Sequence, residues 1–318
     1  MDPARHDLLA RVSAAYYESG LTQQAIAEEL GISRVKVYRL LKEAREKGVL
    51  EINIHWRIER QPSLERTFEA AFGLREAIIL RASEHHDPAS ARANLGELVA
   101  RYLQGVLREG SSLAICLGRS TYAAIDALDG DFRPRFKVVQ AMGSMPIALG
   151  QTDSAEIVRQ LGSRLDVEVM YLSSPPLGDD AQAAEIMRRQ PGIRETLEAA
   201  RSADIALVGI GDLAPEGTAF LRAGLISPEE LAAMQRAGAV GEIVGWPYDL
   251  EGTIIPGHFT RRLIGISLRD LKAVPNTIAV AAGLEKARAI LGALRTGSIQ
   301  VFGTDSKTAS AVLELRKE

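Results

Sequence analysis

Apolar positions recur along this chain in two different rhythms, and the change from one to the other divides it. Over the first fifty residues the spacing is helical: Leu8, Leu9, Val12 and Tyr16 return every three or four positions before Gly20, and Ile26, Ala27 and Leu30 do so before Gly31. Val37, Leu40, Leu41 and Ala44 form a third stripe that Gly48 closes. The pattern predicts three helices, over 7–19, 23–30 and from 34 to just before Gly48, with Thr22 and Ser33 as N-caps of the second and third. Leu50, Ile52 and Ile54 then alternate with polar neighbours, which predicts a short strand, a small wing.

Residues 56–62 keep neither period, and Pro62 disfavours helix just before it, so the linker between two domains is placed here, with one domain at 1–55 and the other at 63–318. Residues 63–72 are helical again, with Leu64, Phe68 and Phe72 on one face. Beyond Gly73, short apolar runs predict strands at 77–80, 113–117, 138–141, 167–172, 205–210, 263–267, 278–281 and 300–302. Amphipathic stretches such as 89–108, 155–165 and 284–294 separate many of them. That alternation predicts a doubly wound α/β fold with a largely parallel sheet.

The first three helices carry more than a packing pattern. A helix-turn-helix needs a small residue where its two helices cross, a turn residue tolerant of positive φ and apolar residues that lock the angle. Ala27, Gly31 and the set Ile26, Leu30, Ile32, Val37 and Leu40 supply these. With those faces committed to packing, Ser33, Arg34, Lys36, Tyr38 and Arg39 occupy the outer side or the start of the third helix. The N-terminal part of such a recognition helix enters the major groove, where Arg34 and Arg39 can each pair bidentately with guanine. Thr22 and Gln23, opening the second helix, can hold a phosphate. One recognition helix binds an operator weakly, so a symmetric homodimer or homotetramer on a palindrome is expected.

Charge adds to this reading. The 318-residue chain has a net charge of −3, yet residues 33–47 hold six basic side chains against two acidic ones. By itself a basic run is more often a solvated helix face; within the helix-turn-helix pattern it is suited to DNA. The single cysteine, Cys116, excludes an internal disulfide, and no run is apolar enough for a signal peptide or a membrane span. A cytoplasmic protein with no membrane partner is the expectation.

In parallel α/β sheets ligands sit where strands deliver their C-terminal ends into loops. Gly118, Arg119, Ser120 and Thr121 form such a loop before a helix, bringing backbone N–H groups and two hydroxyls together, as a phosphate or a sugar requires. The loops at Gln140 to Ser144, Gly209 to Asp212, Gly283 to Lys286 and Thr304-Asp305 add to it. An ordinary capped turn fits the first loop equally well, and Asp305 fits an N-cap as well as a ligand contact.

Taken together these segments resemble the SorC family of sugar-responsive bacterial regulators. The resemblance rests on residues 21–45 with their Ile-Ser-Arg and Leu-Leu-Lys-Glu-Ala-Arg runs, on Ala203 to Gly211, on Gly238 to Ile243, on 278–287 and on Gly303-Thr304-Asp305, and it spans nearly the whole chain. It implies a C-terminal domain similar in fold to sugar-phosphate isomerases and glucosamine-phosphate deaminase, used as a sensor, and a dimer or tetramer whose DNA affinity changes when a sugar or polyol phosphate binds. By the resemblance, 118–121 is the phosphate loop and Lys286 its lysine. Glu242 and Asp249 fall where carboxylates meet sugar hydroxyls. From the loops after strands named above, Gly143, Ser144, Gly211 and Asp212 join the candidate effector site, Asp212 fitting a cap as well as a ligand contact. Departures lie around the pocket: Trp246-Pro247-Tyr248 stands before Asp249, Ala282-Gly283 replaces a Gly-Gly, and Arg119 is bulky. Trp246 can stack on a sugar, although a core role is more common.

The rival reading is an isomerase- or deaminase-like enzyme fused to a DNA-binding module, with Glu242, Asp249 or Asp212 as general base. Against it, His6, His55, His85, His86 and His258 fall in no catalytic arrangement, and neither a nucleophile elbow nor metal-ligand spacing occurs; His85-His86 beside Asp87 reads as an exposed turn. A third reading is a metabolite-binding protein that does not touch DNA. We expect no enzyme activity, no catalytic residue, no cofactor and no metal.

Overall fold

The computed structural model describes residues 2–50, 58–83, 87–145, 149–215 and 217–317. The chain divides into two units, residues 1–57 and 58–318. The strand expected from Leu50, Ile52 and Ile54 falls mostly outside the described residues, as do His55, Trp56, His85 and His86.

The first unit contains α1 (Pro3–Tyr17), α2 (Gln23–Glu29) and α3 (Arg34–Glu46). Helix α1 begins four residues before the expected start at residue 7, because the Asp2 side chain caps it and Pro3 occupies its first turn, where the missing N–H is not needed. Thr22 Oγ1 accepts from Ala25 N at 3.2 Å and Ser33 Oγ from Lys36 N at 3.2 Å, as expected of N-caps. Gly31 has φ +61° with nothing near the position of a Cβ, so conformation rather than space calls for glycine there. Leu9, Val12, Ile26, Ala27, Val37, Leu40, Leu41 and Ala44 make one core. Arg5 on α1 pairs with Glu43 on α3, and together with Lys47 at 3.2 Å it holds the Glu43 carboxyl down at about 2.

The second unit is built on β1 (Glu76–Leu80), β2 (Ser112–Ile115), β3 (Lys137–Gln140), β4 (Glu168–Met170), β5 (Ile205–Gly209), β6 (Gly211–Asp212), β7 (Gly241–Ile243), β8 (Trp246–Tyr248), β9 (Asn276–Val280) and β10 (Val301–Asp305). Seven of these form one sheet in the order β1-β10-β9-β5-β2-β3-β4, parallel throughout. Being covered on both faces, its central strands read as continuous apolar runs. On one face lie α5 (Pro88–Val106), α6 (Arg119–Asp126) and α7 (Ser154–Leu165), through Leu95, Val99, Ile125 and Ile157. The other face buries Phe68 of α4 (Pro62–Phe72) with Leu197, Ile290 and Val312 of later helices.

The edge at β1 is closed by the chain before it. Gln61 N donates to Ile79 O at 2.9 Å, Arg60 bridges Leu80, and the buried Glu65 carboxylate accepts from Ile79 N at 2.9 Å and from Arg60 Nε at 2.7 Å. Residues 58–62 of the expected linker are therefore tied to the sheet edge, which leaves no open ladder there.

Two features differ from the sequence expectation. The run at 263–267 is not a sheet strand: it makes isolated bridges from Gly265 to Met142 and from Leu263 to Leu177, crossing the ends of other segments antiparallel to them. Strands β6, β7 and β8 form a separate antiparallel sheet that the periodicity did not predict, since two or three residues each, one of them Gly-Asp, carry no readable alternation. No described helix is long and apolar enough to cross a membrane.

Candidate functional site

The polar side of α3 is free of packing duties. Val37, Leu40, Leu41 and Ala44 are buried, whereas Ser33, Arg34, Lys36, Tyr38 and Arg39 are exposed, Tyr38 at 57%. At 100° per residue, Val35, Arg39 and Lys42 lie opposite the buried stripe and Arg34 sits in the first turn. Thr22 is exposed and Gln23 half-buried at the start of α2. The Thr22 oxygen accepts from the backbone as a cap, which leaves its O–H and the first α2 N–H groups for an incoming phosphate.

In the second unit, chain order reverses between β2 and β5: from β2 the sheet grows outward to β3 and β4, while β5 lies on the other side of it. Ligands collect in the crevice at such a switch point. A cavity of about 240 Å³ lies there, walled by the loops that leave β2, β5 and β9 and by the β7–β8 hairpin. Gly118 leads from β2 into α6 with φ +146° and no side-chain cap; its own N–H goes to Thr152 O at 3.0 Å. Among the described residues no acceptor takes the N–H groups of Arg119, Ser120 and Thr121, so the helix opens on free donors with the positive end of its dipole behind them.

Cations gather around those donors. Arg92 from α5, Arg119, Arg222 and Lys286 line the cavity, against the carboxylates Glu242 and Glu285. No ion pair joins Arg92 or Arg119 to a carboxylate among the described residues. Burial, and then the nearby Arg119 charge, lower the Arg92 pKa from its ordinary value. Lys286 Nζ donates to Ile210 O at 2.7 Å. Its pKa is lowered by burial, with Asp212 and Glu242 opposing that shift and Arg119 adding to it. A site that gathers mutually repelling cations, two of which, Arg92 and Arg119, make no ion pair among the described residues, is electrostatically prepared for an anion.

Glu242 stands on β7, and its Oε2 accepts from Gly245 N at 2.6 Å across the hairpin turn. Burial raises its pKa above the ordinary carboxylate range, with Asp212 adding to the shift and Gly245 N and Lys286 opposing it. A carboxyl whose folded pKa is raised favours folding in its protonated form, so its stabilising effect is full at low pH and is lost as pH rises through the raised value. Glu242→Gln keeps an acceptor for Gly245 N and removes that loss. The unliganded variant is expected to match the parent near pH 4 and to melt higher at pH 7, by about 2–4 °C for each kcal/mol recovered, as calorimetry across that range will show. Equal melting curves at both pH values would count against a raised pKa.

Six of the eleven expected effector residues line the cavity: Gly118, Arg119, Ser120, Gly211, Glu242 and Lys286. The others sit elsewhere. Thr121 is buried behind the loop near Gly209, its Oγ1 unpartnered among the described residues. Gly143 lets the chain pass Pro175, whose carbonyl oxygen lies 2.2 Å from where a Cβ would be, and Ser144 Oγ accepts from Gln140 Nε2 at 2.8 Å. Asp212 is buried, accepts from Ala214 N at 3.0 Å and acts on the cavity through its field on Lys286 and Glu242. Asp249 organises a turn by accepting from Glu251 N at 3.0 Å and Thr253 N at 2.7 Å. Asp305 caps a helix through Thr308 N at 2.9 Å, and Trp246 Nε1 donates to Ile266 O at 2.9 Å rather than facing the cavity.

Sequence reasoning missed Arg92, Arg222 and an apolar group, Cys116, Met142, Phe220 and Val244. The arginines look like surface positions on amphipathic helices, and nothing local marks them. Val244 is marked by its backbone rather than by its sequence. It and Gly245 link β7 to β8 with φ +52° and +78°, the signature of a type I′ turn, where Asn or Gly is favoured and a β-branched residue is strained by about 1–3 kcal/mol.

A three-helix unit with an exposed basic recognition helix, followed by a parallel α/β unit with a cationic cavity at its switch point, defines a ligand-responsive, DNA-binding transcription regulator. Comparison with known proteins gives the family. Residues 57–314 match the Sugar-bind family of sugar-binding domains, and residues 7–67 match a Crp-like helix-turn-helix domain. The chain is 35% identical over 318 residues to the transcriptional regulator LsrR of Klebsiella pneumoniae, covering 98% of this chain and 94% of that one. It is 30% identical over 313 residues to the deoxyribonucleoside regulator of Bacillus subtilis, covering 98% and 99%. The crystal structure of the full-length sorbitol operon regulator SorC from Klebsiella pneumoniae superposes with a TM-score of 0.74 at 26% identity, covering 98% of this chain and 99% of that one. The chain belongs to the SorC family of sugar-binding transcription regulators.

Proposed function

We propose that this protein controls a carbohydrate catabolic operon, and that a sugar or polyol phosphate bound at the switch-point cavity sets its affinity for the operator. The observation that carries this reading is the cluster of Arg92, Arg119, Arg222 and Lys286 around the uncapped start of α6. Free N–H donors and cations converge on one point, as recognition of a phosphoryl group requires. Ser120 and Glu242 are placed to receive hydroxyls, with Lys286 beside them. The DNA contacts fall to Arg34, Lys36, Tyr38 and Arg39 with Ser33, supported by Thr22 and Gln23. The protein acts in the cytoplasm as a homodimer or homotetramer, so that two recognition helices address two half-sites. The cavity senses its ligand without turning it over, in keeping with relatives named as regulators.

A thermal-shift screen of the full chain tests the sensor. Phosphorylated sugars and polyols are expected to raise the melting temperature by about 5–10 °C at one hundred times Kd, while their unphosphorylated forms do not. The same compounds should change affinity for an operator selected from random DNA. Stabilisation by free sugars alone would reject the phosphate assignment, and stabilisation without any change in DNA affinity would reject the regulatory one.

A further inference from the structure

The apolar part of the cavity has no counterpart in a site built only for hydroxyls. Cys116 at the end of β2, Met142, Phe220 and Val244 line it and belong to one buried core, none more than 3% exposed. They are contiguous: Cys116 Sγ lies 4.0 Å from Met142 Sδ, and a Cβ on Gly245, next to Val244, would be 3.1 Å from Phe220 Cζ and 3.2 Å from Met142 Cε. Among the described lining residues there is no Asn, Gln, Asp, His, Tyr or Trp side chain, the groups that usually receive sugar hydroxyls or stack on sugar rings.

Val244 is the informative member. A type I′ turn asks for Asn or Gly at its position, and Asn would also offer the cavity an amide. The chain instead holds a β-branched residue at φ +52°, in strain, with its side chain turned into the core and the cavity wall. Strain kept at a ligand site against an easy alternative points to a role for that side chain.

We propose that Val244, with Cys116, Met142 and Phe220, selects the effector by seating a hydroxyl-free carbon, so that the effector is a phosphorylated sugar or polyol lacking at least one hydroxyl. The inference rests on the proposed phosphate-binding cavity. A hydroxyl placed against this wall finds no partner and loses its water, whereas a methylene or methyl group is favoured there.

The test uses the full chain and two matched pairs measured by calorimetry: 2-deoxyribose 5-phosphate with ribose 5-phosphate, and propane-1,2-diol 1-phosphate with glycerol 3-phosphate. The member lacking the hydroxyl is expected to bind about 10- to 100-fold more tightly in at least one pair. In Val244→Asn, which accepts the turn and adds an amide, that ratio should fall to about 3-fold or less, with inorganic phosphate affinity unchanged. Cys116→Ser places a hydroxyl in the same wall and should lower the ratio in the same direction, which keeps the test decisive if the first variant does not fold. Ratios near one or inverted in both pairs, no binding by any of the four compounds or by free 2-deoxyribose, or an unchanged ratio in the variants would overturn the proposal. If free 2-deoxyribose binds better than free ribose while no phosphate compound binds, the phosphate reading fails and the apolar selection stands.

Discussion

Replacing Arg34 and Arg39 together by Ala is expected to weaken operator binding by about 30-fold to more than 10⁴-fold, with the metabolite response of the second unit intact. The range follows from about 1–3 kcal/mol of discrimination for each bidentate arginine contact with guanine. Both side chains are exposed on α3, and neither has an ion-pair partner among the described residues, so their loss leaves the fold within about 0.5 kcal/mol of the parent. Fluorescence anisotropy against a selected operator measures the first effect and thermal melting controls for the second. Specificity should relax at the bases the two arginines read, whereas removal of Lys36 should weaken all sequences alike and flatten the salt dependence. Operator affinity unchanged in the double variant would mean that α3 is not the reading element.

Substitution at the cavity should produce the complementary phenotype. Arg119→Ala and Lys286→Ala are each expected to weaken binding of the phosphorylated effector by about 10- to 150-fold, since a hydrogen bond to a charged group contributes about 1.5–3 kcal/mol. DNA binding without effector should stay as in the parent. The two variants differ in instructive ways. Arg119 is exposed at the first turn of α6, so its removal tests the anion contact with little structural cost. Lys286 is partly buried, holds the Ile210 carbonyl and balances Glu242 and Asp212. Its removal takes away the charge that opposes Asp212 at Glu242 and should raise the Glu242 pKa further, visible as a stronger fall of stability with rising pH. An effector-induced thermal shift identical to that of the parent in both variants would place the phosphate elsewhere.

These variants separate the roles of the two units. A regulator that fails at α3 loses its address on DNA but still senses; one that fails at Arg119 or Lys286 keeps its address and ignores the metabolite. Reciprocal coupling between the two sites is the thermodynamic requirement for regulation, and the operator should change effector affinity by the same factor that effector changes operator affinity.

Much of this was legible in sequence because it is local. Thr22 and Ser33 cap helices through hydroxyls three residues from their partners, Gly31 supplies a positive φ that other residues resist, and the stripe of Val37, Leu40, Leu41 and Ala44 repeats with the helical period. The strands of the large sheet announced themselves as short apolar runs, and the Gly118 to Ser120 loop as donors ahead of a helix. The start of α1 at Pro3 and the short strands β6 to β8 escaped, for want of enough residues to establish a period.

What the sequence by itself determined, then, is the helix-turn-helix and the parallel α/β scaffold, because caps, turns and periodicity act over a few residues. Tertiary structure alone decided the composition of the cavity. It brought Arg92, Arg119, Arg222 and Lys286 together from positions nearly two hundred residues apart, and withdrew Thr121, Gly143, Ser144, Asp212 and Asp249 into supporting hydrogen bonds, burial or turns. It also set the strained Val244 against Cys116, Met142 and Phe220. The physical reason is that a binding site here is the meeting of strand ends and a hairpin whose order in space is fixed by sheet topology, and no spacing along the chain encodes which ends will meet.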